Sequence, residues 1–214
     1  KNEQIFLVLF LLLLLSRTVY AELPSEKGAF ADFVDAAMAE EMEKHHVAGV
    51  VLSVVQGKEV YFSKGYGYAD LKKKIPMSPE NTVIRLGSIS KLLTATSLFI
   101  LWEQGGFQLQ DRVSLHLPGL GISDSEQNPL RIQHLLTHTT GFDAKYMGLL
   151  ARSANDFPPL ADYLRANLPK LINPPGKVIQ YCNFGPAIAG LLVEKFSKSN
   201  FSEAVRKLLF EPLS

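Results

Sequence analysis

Two residues with complementary chemistry, Ser88 and Lys91, lie three positions apart at the start of a long apolar run. A helix places positions i and i+3 on one face, so the hydroxyl and the ammonium would lie within reach of each other. A serine hydroxyl is a weak nucleophile at neutral pH and needs a neighbouring base or cation to activate it. The helix N-terminus adds unpaired N–H groups and a positive dipole end, which favour developing negative charge. The pair therefore indicates a nucleophilic serine.

The same residues also fit a simpler interpretation, an N-cap serine followed by a solvated lysine. A second polar run, Tyr181-Cys182-Asn183, changes the balance because it follows a Pro-Pro-Gly turn and precedes a helical pattern. A tyrosine whose pKa is lowered by a nearby lysine can act as a general acid or base. The amide of Asn183 can orient a substrate carbonyl or the lysine. Alone, this run is equally compatible with a packed tyrosine and a capping asparagine.

The surrounding pattern predicts the elements that must position these residues. The run 88–103 predicts a helix that stops at Gly105-Gly106 and is apolar nearly all round, which is typical of a buried helix. Strands come early and helices late, which favours an α/β part with a helical part following or inserted. The other predicted elements are a helix at 28–45, a β-hairpin at 48–56 and 59–68 with a bend or bulge near Gly65 and Gly67, and helices at 132–137, 160–168, 186–197 and 201–210.

Residues 1–21 have the layout of a secretory signal peptide. Lys1 begins a short basic region, residues 5–15 are uninterrupted apolar residues, and Val19 and Ala21 are small residues at the −3 and −1 positions of a cleavage site. The apolar run is shorter than the roughly 20 residues that span a bilayer. An uncleaved anchor and a buried core helix are the alternatives. We therefore expect an exported protein whose mature chain begins at Glu22 and is not stably inserted in the membrane.

Composition excludes some classes of partner. Residues 22–214 contain 20 basic and 20 acidic residues, which argues against a nucleic-acid partner, since such a partner requires a basic patch. Cys182 is the one cysteine, so the chain has no internal disulfide framework. Stability must come from the core, and 193 residues after the signal peptide suffice for one.

The stretch 47–213 resembles the class C β-lactamase-like serine hydrolases, a family that includes class C β-lactamases, D-alanyl-D-alanine carboxypeptidases, D-aminopeptidases and esterases. Six segments carry this resemblance in the expected order: residues 60–70 (VYFSKGYGYAD), 87–91 (GSISK), 134–141 (HLLTHTTG), 175–176 (PG), 181–183 (YCN) and 211–213 (EPL). The resemblance implies an α/β (α+β) fold, an antiparallel sheet flanked by helices with a mostly helical second subdomain. Residues 22–87 would form the first part of the α/β subdomain, and residues 88–214 the mostly helical part.

The resemblance also implies roles for individual residues. Ser88 would be the acylated nucleophile, with its backbone N–H as one half of the oxyanion hole. Lys91 would be its activating partner, and Tyr181 would carry the proton in acylation and deacylation. Asn183 would contact the substrate amide and help to hold Lys91. We expect no metal or organic cofactor, and a small-molecule or peptide substrate: a β-lactam, a D-amino-acid peptide or a small ester.

Three features depart from the family pattern. A third motif, Lys-Thr-Gly or a variant such as His-x-Gly, is absent from the printed sequence, so we expect an N-terminal portion of a longer hydrolase that lacks the C-terminal strands. Cys182 stands where relatives would have Ser or Ala, and it is either a nucleophile or a small buried side chain, of which the sequence favours the second. His134 and His138 are four apart and could share a helix face as metal ligands do, but a carboxylate ligand pattern is missing.

These expectations combine into one hypothesis, an exported serine hydrolase that forms an ester intermediate on Ser88. The periplasm is the preferred compartment, with secretion from the cell as the alternative. A rival hypothesis is an inactive family member that binds peptidoglycan fragments or a protein partner. The presence of Ser88, Lys91 and Tyr181 together argues against this rival, whereas the missing third motif argues for it.

Overall fold

The computed structural model describes residues 23–24, 26–143, 153 and 156–213. The chain divides into two compact units, of which one ends at Arg85 and the other begins at Leu86. The predicted signal peptide, residues 1–21, lies outside the described residues. Among the residues that are described, no helix has both the length and the apolar composition that a membrane span requires.

The first unit consists of one helix and a three-stranded antiparallel sheet. Helix α1 spans Lys27–Lys44, and strands β1 (Gly49–Gln56), β2 (Glu59–Asp70) and β3 (Ile75–Pro76) pair in the order β1-β2-β3. These bounds confirm the predicted helix and hairpin. Gly57 joins β1 to β2 at φ +63°, a conformation that favours glycine.

Two glycines in β2 allow the backbone of neighbouring residues to approach this strand closely, near the predicted bend. A Cβ at Gly65 would lie 2.1 Å from the carbonyl oxygen of Met77, and Gly67 has φ +68°. The pairing of β2 with β3 is irregular just beyond, between Tyr68 and Asp70. The prediction of a bend or bulge near the end of this strand is therefore confirmed.

The second unit is built from helices. A 3₁₀ turn at Gly87–Ile89 leads directly into helix α2, Ser90–Glu103. The remaining elements are α3 (Val113–His116), a 3₁₀ turn (Pro118–Leu120), α4 (Ile132–Leu136), α5 (Leu160–Asn167), α6 (Phe184–Ser197), α7 (Phe201–Val205), a π-helical turn (Arg206–Phe210) and α8 (Glu211–Leu213). With the sheet of the first unit, these helices confirm the mixed α/β fold class.

The core of the second unit lies between α2 and α6. Leu98 of α2 packs in one cluster with Ile188 and Leu192 of α6, and all three are fully buried. Burial of each such side chain contributes about 1.5–3 kcal/mol to the free energy of unfolding. This packing holds the first turn of α2 near the first turn of α6, where the two polar runs of the sequence are found.

The prediction that α2 is buried all round is wrong. Its buried residues form one stripe, Thr94, Ser97, Leu98 and Leu101, at the spacing of one helix face. Leu92 is 65 % exposed and Phe99 is 41 % exposed on the rest of the helix surface. An apolar sequence therefore does not by itself show which faces of a helix are covered.

Candidate active site

Ser88 lies in the middle of the 3₁₀ turn that precedes α2. Gly87 enters this turn at φ +55°, and the Ser90 hydroxyl donates a hydrogen bond to the Gly87 carbonyl at 2.6 Å. Among the residues that the structure describes, no side chain caps either the turn or α2, so the interpretation of Ser88 as an N-cap serine is wrong. Its backbone N–H belongs to the first turn, where N–H groups lack an intrahelical acceptor.

The hydroxyl of Ser88 is instead shared between Lys91 and Tyr181. Lys91 Nζ donates a hydrogen bond to Ser88 Oγ at 3.0 Å, and Ser88 Oγ lies 2.6 Å from the Tyr181 hydroxyl. Lys91 Nζ also lies 5.0 Å from the centroid of the Tyr181 ring, within the range of a cation–π interaction. The fold thus brings together three of the four predicted site residues in direct contact.

Electrostatics favour ionisation of the Tyr181 phenol. The neighbouring Lys91 ammonium lowers the pKa of Tyr181 below its ordinary value of 10, and the hydrogen bond with Ser88 lowers it further. A positive charge stabilises the phenolate relative to the phenol. The phenolate form of a tyrosine can accept the proton of a serine hydroxyl with which it shares a hydrogen bond.

Asn183 is the fourth predicted site residue, and it lies at the start of α6. It is the N-cap residue of α6, but its side chain forms no capping hydrogen bond. It lines the same cavity as Ser88 and Lys91. Among the described residues its amide makes no hydrogen bond with Lys91, so the predicted support of the lysine is not seen, and substrate contact stays a prediction.

A cavity of about 500 Å³ adjoins Ser88 and is lined by residues of α2, α5, α6 and α7. Polar groups from Ser88, Lys91, Thr94 and Asn183 line one part of it. The other part is lined by apolar groups from Leu160, Pro186, Ala187, Gly190 and Phe201. Such a cavity, mostly apolar with a few convergent polar groups, is typical of a small-molecule site.

Two chain segments bound to each other position Tyr181. The backbone of residues 138–143 forms hydrogen bonds with the backbone of residues 170–180: Asp143 N to Lys170 O at 2.9 Å, Ile172 N to Gly141 O at 2.9 Å, Gly176 N to Thr139 O at 2.7 Å and Gln180 N to His138 O at 2.8 Å. Gly141 has φ +78°, and a Cβ there would lie 2.1 Å from Asn173 O. The sequence motifs HLLTHTTG (residues 134–141) and PG (residues 175–176) therefore contribute backbone hydrogen bonds that join these two segments.

His134 and His138 do not lie on one helix face. Helix α4 ends at Leu136, and His138 follows it at φ +54°, which excludes the alternative in which His134 and His138 share a helix face. His134 Nδ1 accepts a hydrogen bond from the Arg131 N–H at 3.2 Å, and burial lowers the pKa of its ring. Within the described ranges, no group of three or more His, Cys, Asp or Glu side chains is placed to hold a metal ion.

The structure supports the simpler interpretation of Cys182. It is 3 % exposed and belongs to the apolar core of the second unit. Sequence reasoning did not identify the contact between His138 and Tyr181, the residue before Cys182. The centroids of these two rings lie 4.6 Å apart. Because 43 residues separate these two rings in the chain, no local spacing signals the contact.

Known proteins resemble this chain over most of its length. Protein flp of Staphylococcus aureus (strain MW2) is 28 % identical over 182 residues, which are 84 % of this chain and 36 % of the relative. The octameric penicillin-binding protein homologue from Pyrococcus abyssi superposes with a TM-score of 0.73 at 26 % identity, over 86 % of this chain and 43 % of that one. EstCE1, a hydrolase with promiscuous acyltransferase activity, superposes with a TM-score of 0.72 at 25 % identity, over 87 % of this chain and 52 % of its own.

This chain therefore spans little more than a third of the length of flp. The family model described as Beta-lactamase matches residues 34–214, which is most of the sequence. The chain belongs to the beta-lactamase family of serine hydrolases.

Proposed function

We propose that this protein forms an acyl-enzyme on Ser88 and hydrolyses amide or ester bonds. The observation that carries the proposal is the pair of hydrogen bonds at Ser88 Oγ, to Lys91 Nζ at 3.0 Å and to the Tyr181 hydroxyl at 2.6 Å. This arrangement provides a nucleophile, a cation and a group that can accept a proton. None of these contacts is needed to cap α2 or to fill the core.

In the acylation step, Tyr181 acts as a phenolate and takes the proton of Ser88 while Oγ bonds to the carbonyl carbon of the substrate. The negative charge that develops on the carbonyl oxygen lies near the N–H of Ser88. When the tetrahedral intermediate collapses, the C–N or C–O bond breaks and Tyr181 returns the proton to the leaving atom. Lys91 keeps its charge and favours the phenolate.

Deacylation uses the same groups in reverse order. Water gives a proton to Tyr181 as its oxygen bonds to the acyl carbon, and the Ser88 ester bond then breaks. Ser88 Oγ recovers the proton from Tyr181, which restores the resting site. The rate of deacylation distinguishes a β-lactamase, which hydrolyses its acyl-enzyme quickly, from a peptidase whose acyl-enzyme persists.

The substrate classes remain those expected from the sequence: a β-lactam, a D-amino-acid peptide or a small ester. The apolar part of the cavity, formed by residues such as Ala187 and Phe201, supports a substrate with an apolar acyl group of moderate size. The similarity to EstCE1, a hydrolase with promiscuous acyltransferase activity, supports acyl transfer as the reaction class, and an ester is one substrate of that class.

Export is part of the same proposal. The layout of residues 1–21 supports cleavage after Ala21 and delivery to the periplasm, with secretion as the alternative. N-terminal sequencing of the protein isolated from its native host is the direct test. A mature chain starting at Glu22 is expected, and retention of residues 5–15 would show a tethered protein.

The proposal is tested by labelling the protein expressed from its full native gene with a serine-directed fluorophosphonate. Labelling of wild type is expected, with complete loss in Ser88→Ala. Ser90→Ala is the matched control, because Ser90 lies two residues away but bonds to the Gly87 carbonyl instead. No labelling of wild type would favour the rival function, an inactive member that binds peptidoglycan fragments or a protein.

A further inference from the structure

We infer that His138 is a positioning residue that holds the Tyr181 phenol in place against Ser88. This inference rests on the proposed function, because it assigns His138 a role only if Tyr181 carries the proton. His138 does not contact Ser88 or Lys91 among the described residues. It acts through the tyrosine and through the backbone on either side of it.

His138 accepts a hydrogen bond from the residue on each side of Tyr181. The carbonyl of His138 accepts a hydrogen bond from the N–H of Gln180 at 2.8 Å. Its ring Nδ1 accepts a hydrogen bond from the N–H of Cys182 at 3.4 Å. A single residue therefore binds both neighbours of Tyr181, and this fixes the backbone from which the phenol projects.

The imidazole ring also restricts the tyrosine side chain directly. The two rings have centroids 4.6 Å apart and planes tilted by 32°. Tyr181 is 45 % exposed, so the remaining protein offers it limited packing. Contact with His138 reduces the rotamers open to the phenol and favours the one that reaches Ser88.

The backbone conformation of His138 is unusual for a residue other than glycine. Its φ of +54° lies in the left-handed region, which histidine adopts more often than most residues do. In this conformation both its carbonyl and its ring contact residues 180–182. Strained backbone of this kind persists where the surrounding structure requires it and is frequent at active sites.

Two substitutions at this position separate the parts of the role while tolerating a positive φ. In His138→Asn, the amide oxygen replaces Nδ1 as acceptor for the Cys182 N–H, but the ring is lost. In His138→Gly, both the acceptor and the ring are lost. We expect the second-order rate constant of fluorophosphonate labelling to fall 10- to 100-fold in His138→Gly and by a smaller factor in His138→Asn.

A double-mutant cycle with Tyr181→Phe distinguishes positioning from a general structural effect. If His138 acts through the Tyr181 hydroxyl, its substitution changes labelling less than 2-fold once that hydroxyl is absent. The same fold-loss in both backgrounds would overturn the inference, as would unchanged labelling in His138→Gly. Should His138→Gly fail to fold, the cycle is run with His138→Asn.

His134→Asn is the matched control. His134 lies in the same sequence motif, residues 134–141, but its ring accepts a hydrogen bond from the Arg131 N–H and not from residues 180–182. We expect this variant to lower the melting temperature while the labelling rate of the folded fraction stays at the wild-type value. Wild type that is not labelled at all would overturn both proposals. Labelled wild type with additive losses in the cycle would overturn only the role of His138.

Discussion

The hydroxyl of Ser88 lies 2.6 Å from the hydroxyl of Tyr181, although 93 residues separate them in the chain. Ser88 precedes α2 and Tyr181 precedes α6, and the packing of Leu98 on Ile188 and Leu192 joins these two helices. The contact at the candidate site is therefore a consequence of core packing several residues away. Any substitution that shifts α2 against α6 should weaken it.

Replacing Tyr181 by Phe should remove the proton carrier without disturbing the fold. General acid–base catalysis typically contributes about 10²- to 10⁴-fold, so we expect a loss of this size in the turnover number with an ester substrate. The melting temperature should stay within about 2 °C of wild type, since the ring is retained. Turnover equal to that of wild type would exclude Tyr181 as the proton carrier.

Tyr163→Phe is the matched control for that substitution and carries a prediction of its own. The Tyr163 hydroxyl is buried and has no hydrogen-bond partner among the described residues, and burial raises its pKa. Removing an unsatisfied buried hydroxyl should stabilise the protein by about 1 kcal/mol. Urea denaturation would measure this gain, and a destabilised variant would point to a partner for the hydroxyl.

Replacing Lys91 should change the pH dependence of acylation in a defined direction. The Lys91 ammonium lowers the pKa of Tyr181, and acylation requires the phenolate, so the labelling rate should rise as pH passes upward through that pKa. In Lys91→Met the pKa returns toward 10, so the rise should move to higher pH. Lys91→Arg keeps the positive charge and should shift the profile less.

The rate of fluorophosphonate labelling, measured between pH 5 and 11, would test this. A profile that does not move in Lys91→Met would show that Lys91 does not control the ionisation of Tyr181. A rise that moves to lower pH would contradict the proposed electrostatics outright, because loss of a cation cannot favour a phenolate.

Gly141→Ala should destabilise the protein strongly. Gly141 has φ +78°, and an added Cβ would lie 2.1 Å from Asn173 O, where the backbone cannot move without breaking the bonds between the two segments. We expect a loss of about 2–4 kcal/mol in the free energy of unfolding. Gly119→Ala is the control, because a Cβ there meets no atom within 4 Å. Equal stability of the two variants would contradict the structural role of this segment.

Enlarging Gly190 should restrict the apolar part of the cavity. A Cβ at this position would lie 3.6 Å from the Phe201 ring, an ordinary contact, so Gly190→Ala should fold normally and Gly190→Val should narrow the cavity further. With p-nitrophenyl esters, KM should rise for octanoate and stay within 2-fold for acetate. Equal effects on both esters would show that acyl groups do not enter this space.

The sequence by itself determined the local structure and the candidate chemistry. Helical periodicity and β-branched runs predicted α1, the β1–β2 hairpin and the helical second unit, because these signals depend on neighbours within a few residues. The spacing of Ser88 and Lys91 predicted their contact for the same reason, since one helical turn brings them together. The six ordered segments predicted the family.

Only the tertiary structure decided the relationships that cross large chain separations. It placed Tyr181 on Ser88, buried Cys182, ended α4 before His138 and left Leu92 of an apolar helix exposed. These outcomes depend on which surfaces pack together, and a local pattern does not encode its distant partner. The contact between the His138 and Tyr181 rings is the clearest case. It depends on the left-handed backbone conformation of His138 and on the hydrogen bonds that join residues 138–143 to residues 170–180.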